Sequence, residues 1–148
     1  MAHSYPFSIS WSGSTLADPY PRDASAAAPG KAPIPVSSGG DYGGDDSRWN
    51  PEDLLGSALA TCHMLTFLAL CAKTRTEVLA YEDRAESVLD TVDKVTWISE
   101  IRLRPAIRVA KGTDPAKVRE LFEKAHKYCF VANSIKSKVT MAPEIVEG

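Results

Sequence analysis

The longest uncharged stretch of the chain covers 19 residues, from Leu54 to Ala72, and most of its side chains are apolar. Asn50, just before it, is a favoured helix N-cap, and Pro51 suits the first helical position. Glu52 and Asp53 place negative charge where the helix dipole favours it. The pattern therefore predicts a long helix that begins at Pro51.

This run is also long enough to be considered as a membrane span. Four polar residues interrupt it, namely Ser57, Thr61, His63 and Thr66. No basic cluster flanks the run on one side only, as orientation in a membrane would require. A helix that is apolar on every side is typical of the buried centre of a soluble fold. We therefore expect a core helix and no membrane partner.

Strict alternation of apolar and polar residues follows this helix. Between Glu100 and Val109 the apolar positions fall on one face, which predicts a half-buried strand; they are Ile101, Leu103, Ile107 and Val109. We expect the stretch from Glu77 to Leu89 to be its antiparallel partner, joined to it through the polar turn from Asp90 to Lys94. The stretch from Val139 to Val146 is predicted to be the closing strand.

A second helix is predicted to begin at Asp114 and Pro115. Its apolar side consists of Val118, Leu121, Phe122, Ala125 and Cys129. The resulting order is strands, long helix, two strands, helix and strand, which indicates an α+β fold. With 148 residues, the chain is expected to form a single domain.

The first 51 residues have a different composition, with seven of the ten prolines and six of the nine glycines. Alternating Phe7, Ile9 and Trp11 predict a strand, and residues 18–48 favour hairpins and loops. Because a long loop without regular structure is unusual in a compact domain, we expect it to be functional, a poorly paired edge or a dimer arm. The single domain thus has a strand-and-loop region, residues 1–49, and a cysteine-bearing core, residues 50–148.

Charge and cysteine content limit the classes of partner and compartment. The 17 Lys and Arg against 19 Asp and Glu give a net charge of −2, without the cationic field expected of a nucleic-acid-binding protein. The N-terminus has no secretory pattern, so we expect a cytoplasmic protein with free thiols. Cys71 lies nine residues after Cys62, on the opposite side of a helix, and is interpreted as structural.

Two motifs surround the other two cysteines. The first is the sequence NPEDLL at residues 50–55, followed by Thr61-Cys62, and the second is AHKYC at residues 125–129, followed by Asn133-Ser134. Both resemble the motifs of the family of osmotically inducible protein C and organic hydroperoxide resistance protein (OsmC/Ohr). The resemblance extends from about Arg48 to Val146, with both motifs in the family's order.

The resemblance implies a thiol-dependent peroxidase with no metal or organic cofactor, built as an intertwined homodimer of antiparallel sheets around a long central helix. Cys62 matches the peroxidatic cysteine, whose thiolate attacks an organic hydroperoxide and becomes a sulfenic acid. Cys129 matches the resolving cysteine, which forms a disulfide that a dithiol or lipoyl-type reductant then opens. Only a thiolate is nucleophilic, and burial alone raises a thiol's pKa, so a buried thiolate needs a cation beside it.

In the family that cation is an arginine held by a glutamate. Glu52 matches the glutamate, and Arg22 is our choice for the arginine, with Arg48 as the alternative. Glu52 and Cys62 are about 15 Å apart along a straight helix, so either an arginine spans the gap or the glutamate serves a partner subunit. Phe130 replaces the proline that follows the second cysteine in many relatives.

Other interpretations of these residues remain open. A zinc site formed by Cys62, His63, His126 and Cys129 is disfavoured, because adjacent helical residues rarely bind one ion and no Cys-x-x-Cys pair is present. One alternative function is a non-catalytic dimer that binds apolar ligands or senses oxidants, and another is an acyl hydrolase that uses Cys62 and His126. Four residues suit either an apolar substrate lining or ordinary core: Trp49, Met64, Phe67 and Phe130.

Overall fold

The computed structural model describes residues 1–148 and shows an α+β protein with two α-helices and nine strands. The chain divides into two compact units, residues 1–54 and residues 55–148. The elements are β1 (Ser8–Ser10), β2 (Ala24–Ala27), β3 (Ile34–Val36), α1 (Pro51–Lys73), β4 (Val78–Asp83), β5 (Glu86–Val92), β6 (Val95–Leu103), β7 (Pro105–Val109), α2 (Pro115–Tyr128), β8 (Lys138–Met141) and β9 (Glu144–Glu147), with short 3-10 turns at Gly40–Tyr42 and Ala132–Ser134.

The N-terminal unit holds an antiparallel sheet in the order β1-β2-β3. Ser8 pairs with Ala27, and Ala24 pairs with Val36. The strand around Ile9 and the hairpins after residue 18 are thus confirmed. Every residue of β1 is exposed, and Phe7 beside it is 76% exposed. The apolar side chains at this edge of the sheet are therefore not covered by other residues.

Helix α1 begins at Pro51, as predicted. Asn50 Oδ1 accepts a hydrogen bond from the Asp53 N–H at 2.8 Å, and the Asn50 N–H donates to Asp53 Oδ2 at 3.3 Å, which is a reciprocal cap. By length and composition α1 could cross a membrane, although the core helix of a soluble protein meets the same test.

Helix α1 is less buried than its sequence predicts, since only 28% of its most apolar 18-residue stretch is buried. The buried stripe consists of Gly56, Leu59, His63, Phe67 and Cys71. On the opposite side, Ala58, Thr61, Leu65 and Ala69 are exposed. The prediction of burial on every side is therefore wrong for the single chain, which leaves one face of α1 uncovered.

The C-terminal unit contains two three-stranded sheets, β4-β7-β9 and β5-β6-β8. Each of the three predicted strands is in fact two strands that belong to different sheets, which corrects the sequence prediction. The chain changes sheet after Asp83, at Arg104 and before Glu144. At Arg104 the backbone N–H donates to Asp83 Oδ1 at 2.8 Å, and Pro105, which follows, has no N–H for a continuous ladder.

The turn between β5 and β6 is narrower than predicted. It consists of Asp93 and Lys94, which have φ angles of 51° and 66°. Two consecutive residues with positive φ form the tight hairpin turn whose twist matches that of paired strands.

The core of this unit has two apolar clusters. In the first, which we name the distal cluster, α1 and α2 pack with sheet β4-β7-β9, and its buried members are Phe67, Cys71, Ile107, Val109, Val118, Leu121, Phe122 and Ala125. The second, the cysteine cluster, has Leu59, Ile101, Leu103 and Cys129 as buried members, with Cys62 packed against them. The alternating buried face of the strand segment and the apolar face of α2 are both confirmed.

Candidate active site

Cys62 and Cys129 come from different helices and meet in the cysteine cluster. Cys62 lies in the middle of α1, whereas Cys129 is the C-cap residue of α2. Neither cysteine is in a disulfide, and the adjoining Cys129 thiol acts as a hydrogen-bond donor that lowers the pKa of Cys62. The structure thus brings together the two cysteines that the motifs indicate.

The two cysteines differ in their exposure to solvent. Cys129 is fully buried, and its Sγ accepts a hydrogen bond from the Ala132 N–H at 3.5 Å. Cys62 is only half-buried. A molecule that approaches from solvent can therefore reach Cys62 but not Cys129.

The surroundings of Cys62 stabilise its thiolate. Burial acts to raise the pKa of Cys62, but hydrogen bonds from the backbone N–H of Val131, the Cys129 thiol, the backbone N–H of Phe130 and the Thr66 hydroxyl together outweigh it and lower the pKa. The Thr66 hydroxyl also donates to the Cys62 carbonyl oxygen at 2.8 Å. Since a hydroxyl carries one hydrogen, it serves one of these two acceptors at a time.

The surroundings of Cys129 have the opposite effect and raise the pKa of its thiol. Burial raises the pKa of Cys129, and the adjoining Cys62 sulfur raises it further, against a lowering contribution from the Ala132 N–H. Cys62 is therefore the thiol that ionises first, and Cys129 remains protonated as the donor. Because the thiolate is the nucleophile, the reactive sulfur of this pair is that of Cys62.

Cys71 belongs to the distal cluster and takes no part in this pair. Burial raises the pKa of its thiol to about 11. The prediction that Cys71 is a structural residue agrees with this environment.

The segment that follows α2 is held in place by its own hydrogen bonds. The Asn133 N–H donates to the Cys129 carbonyl at 3.1 Å, and the Ser134 hydroxyl donates to the Phe130 carbonyl at 2.8 Å. The Phe130 side chain projects outward and is 82% exposed. Val131 and Ala132 of the same segment, by contrast, pack against the cysteine cluster.

The two histidines near the cysteines do not bind them. His63 is fully buried, and its ring meets Phe122 edge-on with centroids 4.3 Å apart. Neither of its ring nitrogens has a hydrogen-bond partner, and the same is true of His126 Nδ1. No hydrogen bond joins His126 to Cys62, so the Cys–His pair needed for an acyl hydrolase is not formed. No group of three or more His, Cys, Asp or Glu side chains is arranged to hold a metal ion.

The predicted activating residues lie in the N-terminal unit, and their roles stay predictions. Arg22 stacks on Tyr20, with its guanidinium carbon 3.7 Å from the ring centroid, and donates to the Tyr20 carbonyl at 2.7 Å. Arg48 forms ion pairs with Asp23 at 3.4 Å and Asp45 at 3.8 Å. Glu52 lies in the first turn of α1. Arg48 is thus already paired with two carboxylates, whereas no carboxylate is paired with Arg22.

Three of the four residues considered for a substrate lining are accessible. Phe67 is fully buried in the distal cluster and belongs to the core. Trp49 and Phe130 are exposed, and Met64 is half-buried.

Sequence reasoning missed the donors around Cys62, because backbone N–H groups leave no trace in residue types. The one available signal was Thr66, four residues after Cys62 on the same helix.

Comparison with known proteins identifies the family. The family described as OsmC-like protein matches residues 44–144. An uncharacterized Bacillus subtilis protein, YmaD, is 26% identical over 98 residues, which cover 64% of this chain and 65% of YmaD. An OsmC-like protein of unknown function from Vibrio cholerae superimposes with a TM-score of 0.88 at 25% identity, over 96% of this chain and 99% of that one.

The fold also matches that of an organic hydroperoxide resistance protein from Elizabethkingia anophelis. The TM-score is 0.70 at 17% identity, over 100% of both chains. The expected OsmC/Ohr fold is therefore confirmed. From the extent of the family match and the agreement in fold, we conclude that the chain belongs to the OsmC-like protein family.

Proposed function

We propose that this protein is a thiol-dependent peroxidase that reduces organic hydroperoxides to alcohols through a Cys62 sulfenic acid and a Cys62–Cys129 disulfide. The observation that carries the proposal is the contact between a half-buried Cys62, whose pKa is lowered, and a fully buried Cys129, whose pKa is raised. Organic hydroperoxide resistance proteins share the fold. The pair has the features that such a reaction requires, a reachable thiolate and an adjoining second thiol.

The reaction consists of three steps. The Cys62 thiolate attacks the terminal oxygen of the hydroperoxide, the O–O bond breaks, and the leaving alkoxide takes a proton to become an alcohol. The Cys129 thiol then attacks the sulfenic sulfur, which forms the disulfide and releases water. A dithiol or lipoyl-type reductant supplies two electrons and two protons, and both thiols are restored.

Glu52 and Arg22 are proposed to complete the site. In this proposal the Glu52 carboxylate orients the Arg22 guanidinium toward the Cys62 thiolate, either within one subunit or across a dimer interface. Arg48 is the alternative, although it is already paired with Asp23 and Asp45. We place the reaction in the cytoplasm, where reduced dithiols regenerate the enzyme.

The proposed assembly is a homodimer. Leu65 is 58% exposed on the uncovered face of α1, and the apolar Phe7 and Ile9 are 76% and 62% exposed. Exposed apolar surface of this kind is typical of a protein-protein interface. A second copy of the chain would remove it from water.

Consumption of cumene hydroperoxide in the presence of dithiothreitol or dihydrolipoamide tests the function. The wild-type protein should turn over, Cys62→Ser should abolish turnover, and Cys71→Ser is the matched control that should retain it. Mass spectrometry after one equivalent of hydroperoxide should find one disulfide, between Cys62 and Cys129. A wild-type protein that consumes no hydroperoxide with either reductant would contradict the proposal.

A non-catalytic oxidant sensor is the second candidate. A Cys62–Cys129 disulfide would tie the middle of α1 to the end of α2, so oxidation acts on two elements at once. A sensor would be oxidised once by an equivalent of hydroperoxide and would show no sustained consumption when reductant is added. The same assay therefore separates the two functions.

A further inference from the structure

The backbone N–H of Ala132 points at the sulfur atom of Cys129. It donates a hydrogen bond to Cys129 Sγ at 3.5 Å. Two further hydrogen bonds hold the backbone on either side of it, from the Asn133 N–H to the Cys129 carbonyl at 3.1 Å and from the Ser134 N–H to the Val131 carbonyl at 2.9 Å. Because Cys129 is fully buried, its sulfur depends on such a donor from the protein and not on water.

Cys62 lies at the border between the uncovered face and the buried stripe of α1. On one flank of Cys62, Thr61 and Leu65 are exposed. On the other flank, Leu59 and His63 are buried. Cys62 itself is half-buried, so a molecule in solvent approaches its side chain from the exposed flank.

Thiol–disulfide exchange needs an open approach to the sulfur under attack. The attacking thiolate enters opposite the S–S bond, the bond breaks, and the other sulfur leaves with the electron pair. Cys129 is fully buried in the cysteine cluster beside Leu59, Ile101 and Leu103, where a molecule in solvent does not reach it. In a Cys62–Cys129 disulfide, access therefore selects Cys62 as the attacked sulfur and makes Cys129 the leaving group.

Burial makes Cys129 a slow leaving group unless its charge is stabilised. A thiolate leaves more slowly when the pKa of its thiol is higher, and burial raises the pKa of Cys129. The Ala132 N–H acts against this effect, because a hydrogen bond to a thiolate is stronger than one to a neutral thiol. This donor lies at the atom on which negative charge develops as the S–S bond breaks.

We propose that a dithiol reductant attacks Cys62 Sγ of the disulfide, and that the Ala132 N–H is a catalytic group that holds the negative charge on the departing Cys129 sulfur. A thiolate of the reductant bonds to Cys62 Sγ, the S–S bond breaks, and the Cys129 thiolate takes up a proton. The second thiolate of the reductant then attacks the reductant's own sulfur on Cys62. The reductant leaves as a disulfide, and Cys62 returns as a thiolate. The disulfide itself rests on the proposed function, whereas the choice of sulfur does not depend on how the disulfide was formed.

Sulfite identifies the attacked sulfur, because it cleaves a disulfide into one S-sulfocysteine and one thiol. The disulfide is formed with diamide in the full-length Cys71→Ser variant, so that neither hydroperoxide nor Cys71 takes part. After a brief exposure to sulfite and an acid quench, peptide mass spectrometry locates the sulfonate. We expect about tenfold more on Cys62 than on Cys129. In guanidinium chloride, where both sulfur atoms are accessible, the two cysteines should carry comparable amounts.

A sulfonate found mainly on Cys129 in the folded protein would overturn the proposal. A disulfide that sulfite cleaves only after unfolding would overturn it as well, because Cys62 would then be as inaccessible as Cys129. Hydroperoxide turnover is scored separately. Cleavage at Cys62 without turnover contradicts only the proposed function, and turnover with cleavage at Cys129 contradicts only this inference.

Replacing Ala132 by lactic acid tests the donor, because an ester oxygen takes the place of the N–H and the methyl side chain is kept. Reduction of the disulfide by dithiothreitol is expected to slow about threefold to tenfold. The control is a Cys129→Ser protein with thionitrobenzoate bonded to Cys62, since its leaving group is not Cys129. There the same replacement should leave the rate of thionitrobenzoate release by dithiothreitol unchanged. Either an unchanged rate of disulfide reduction or an equal slowing in the control would overturn the catalytic role of Ala132.

Discussion

The three cysteines show that burial alone does not determine the state of a thiol. Cys71 and Cys129 are both buried, yet Cys129 meets a donor and a second sulfur, whereas Cys71 meets only apolar neighbours. Cys62 is the least buried and has the most donors. The pKa of each thiol in this protein therefore depends on the hydrogen bonds that its sulfur receives as well as on its burial.

Cys71 is expected to resist alkylation in the folded protein. Burial raises the pKa of its thiol to about 11, so almost none is thiolate at pH 7.5. Peptide mass spectrometry after a brief exposure to iodoacetamide should find Cys62 modified and Cys71 intact. In guanidinium chloride the two should react at similar rates, and equal rates in the native protein would contradict the prediction.

His63 is expected to make stability depend on pH. Burial, together with the neighbouring His126, lowers the pKa of His63 to about 4 from its ordinary value of 6.5. Below pH 6.5 the unfolded chain therefore binds a proton at His63, whereas the folded chain binds it only near pH 4. The free energy of unfolding falls as the pH drops toward 4. At pH 5 the loss amounts to about 2 kcal/mol.

His63→Leu should remove this dependence. Leucine has a similar volume and leaves no unpartnered ring nitrogen in the core, so stability at pH 7.5 should be unchanged or higher. Urea unfolding at pH 7.5 and pH 5 measures the difference for the variant and the wild type. A variant that loses as much stability as the wild type between these two values would show that another group is responsible.

The packing of α1 against its neighbours depends on residues of very different size. At Gly56 an added Cβ would collide with the Ser87 hydroxyl of β5, so glycine allows the helix to approach that strand. Further along, Phe67 meets Phe122 of α2 with ring centroids 5.6 Å apart, and Phe122 meets His63. Small residues thus set the distance to the sheet, and aromatic rings fill the space between the helices.

Phe122→Ala is expected to destabilise the protein by about 3–5 kcal/mol, because it leaves a cavity between the two helices. Phe130→Ala removes the same side chain from a position that is 82% exposed and should change the free energy of unfolding by about 0.5 kcal/mol or less. Denaturant unfolding of both variants provides the comparison. Similar losses in the two would mean that the α1–α2 contact contributes little.

Sequence patterns predicted the faces of elements better than their ends. Alternation correctly placed Ile101, Leu103 and Ile107 on a buried face, because the side-chain period of a strand continues across a break. For the same reason it could not show that Leu103 and Ile107 belong to different sheets. Pro105, which has no backbone N–H, was the one sign of the break in the sequence. The other contribution, the Asp83 carboxylate that accepts from the Arg104 N–H, is a contact between distant residues that the pattern does not contain.

In the candidate site, too, some features could be predicted from the sequence and others could not. Motifs of side chains identified Cys62 and Cys129, and helical spacing separated Cys71 from them. The N–H groups of Phe130 and Val131 could not be predicted, since every residue except proline has one and only the fold decides where it points. Residue type was informative there only through the absence of proline at position 130.

Considered as a whole, the molecule leaves several large apolar side chains exposed, among them Leu65 on α1. If the uncovered face of α1 binds a second copy, Leu65→Glu should convert a dimer into a monomer, because a buried carboxylate without a partner is costly. Leu65→Met, which keeps the position apolar, is the control and should remain dimeric. Analytical ultracentrifugation distinguishes the two, and a dimeric Leu65→Glu variant would place the interface elsewhere.

The parallel pairing of the last two strands affects the order in which the chain can mature. β8 joins β6 where Lys138 lies beside Glu100, and β9 joins β7 where Glu144 lies beside Ala106. Both sheets are therefore completed by strands that come later in the chain than α2. Val139 and Met141 of β8 pack against the cysteine cluster, so Cys129 is fully enclosed only once β8 has joined β6. The thiol that is most sheltered in the folded protein therefore stays open to solvent, and to oxidants, until β8 is in place.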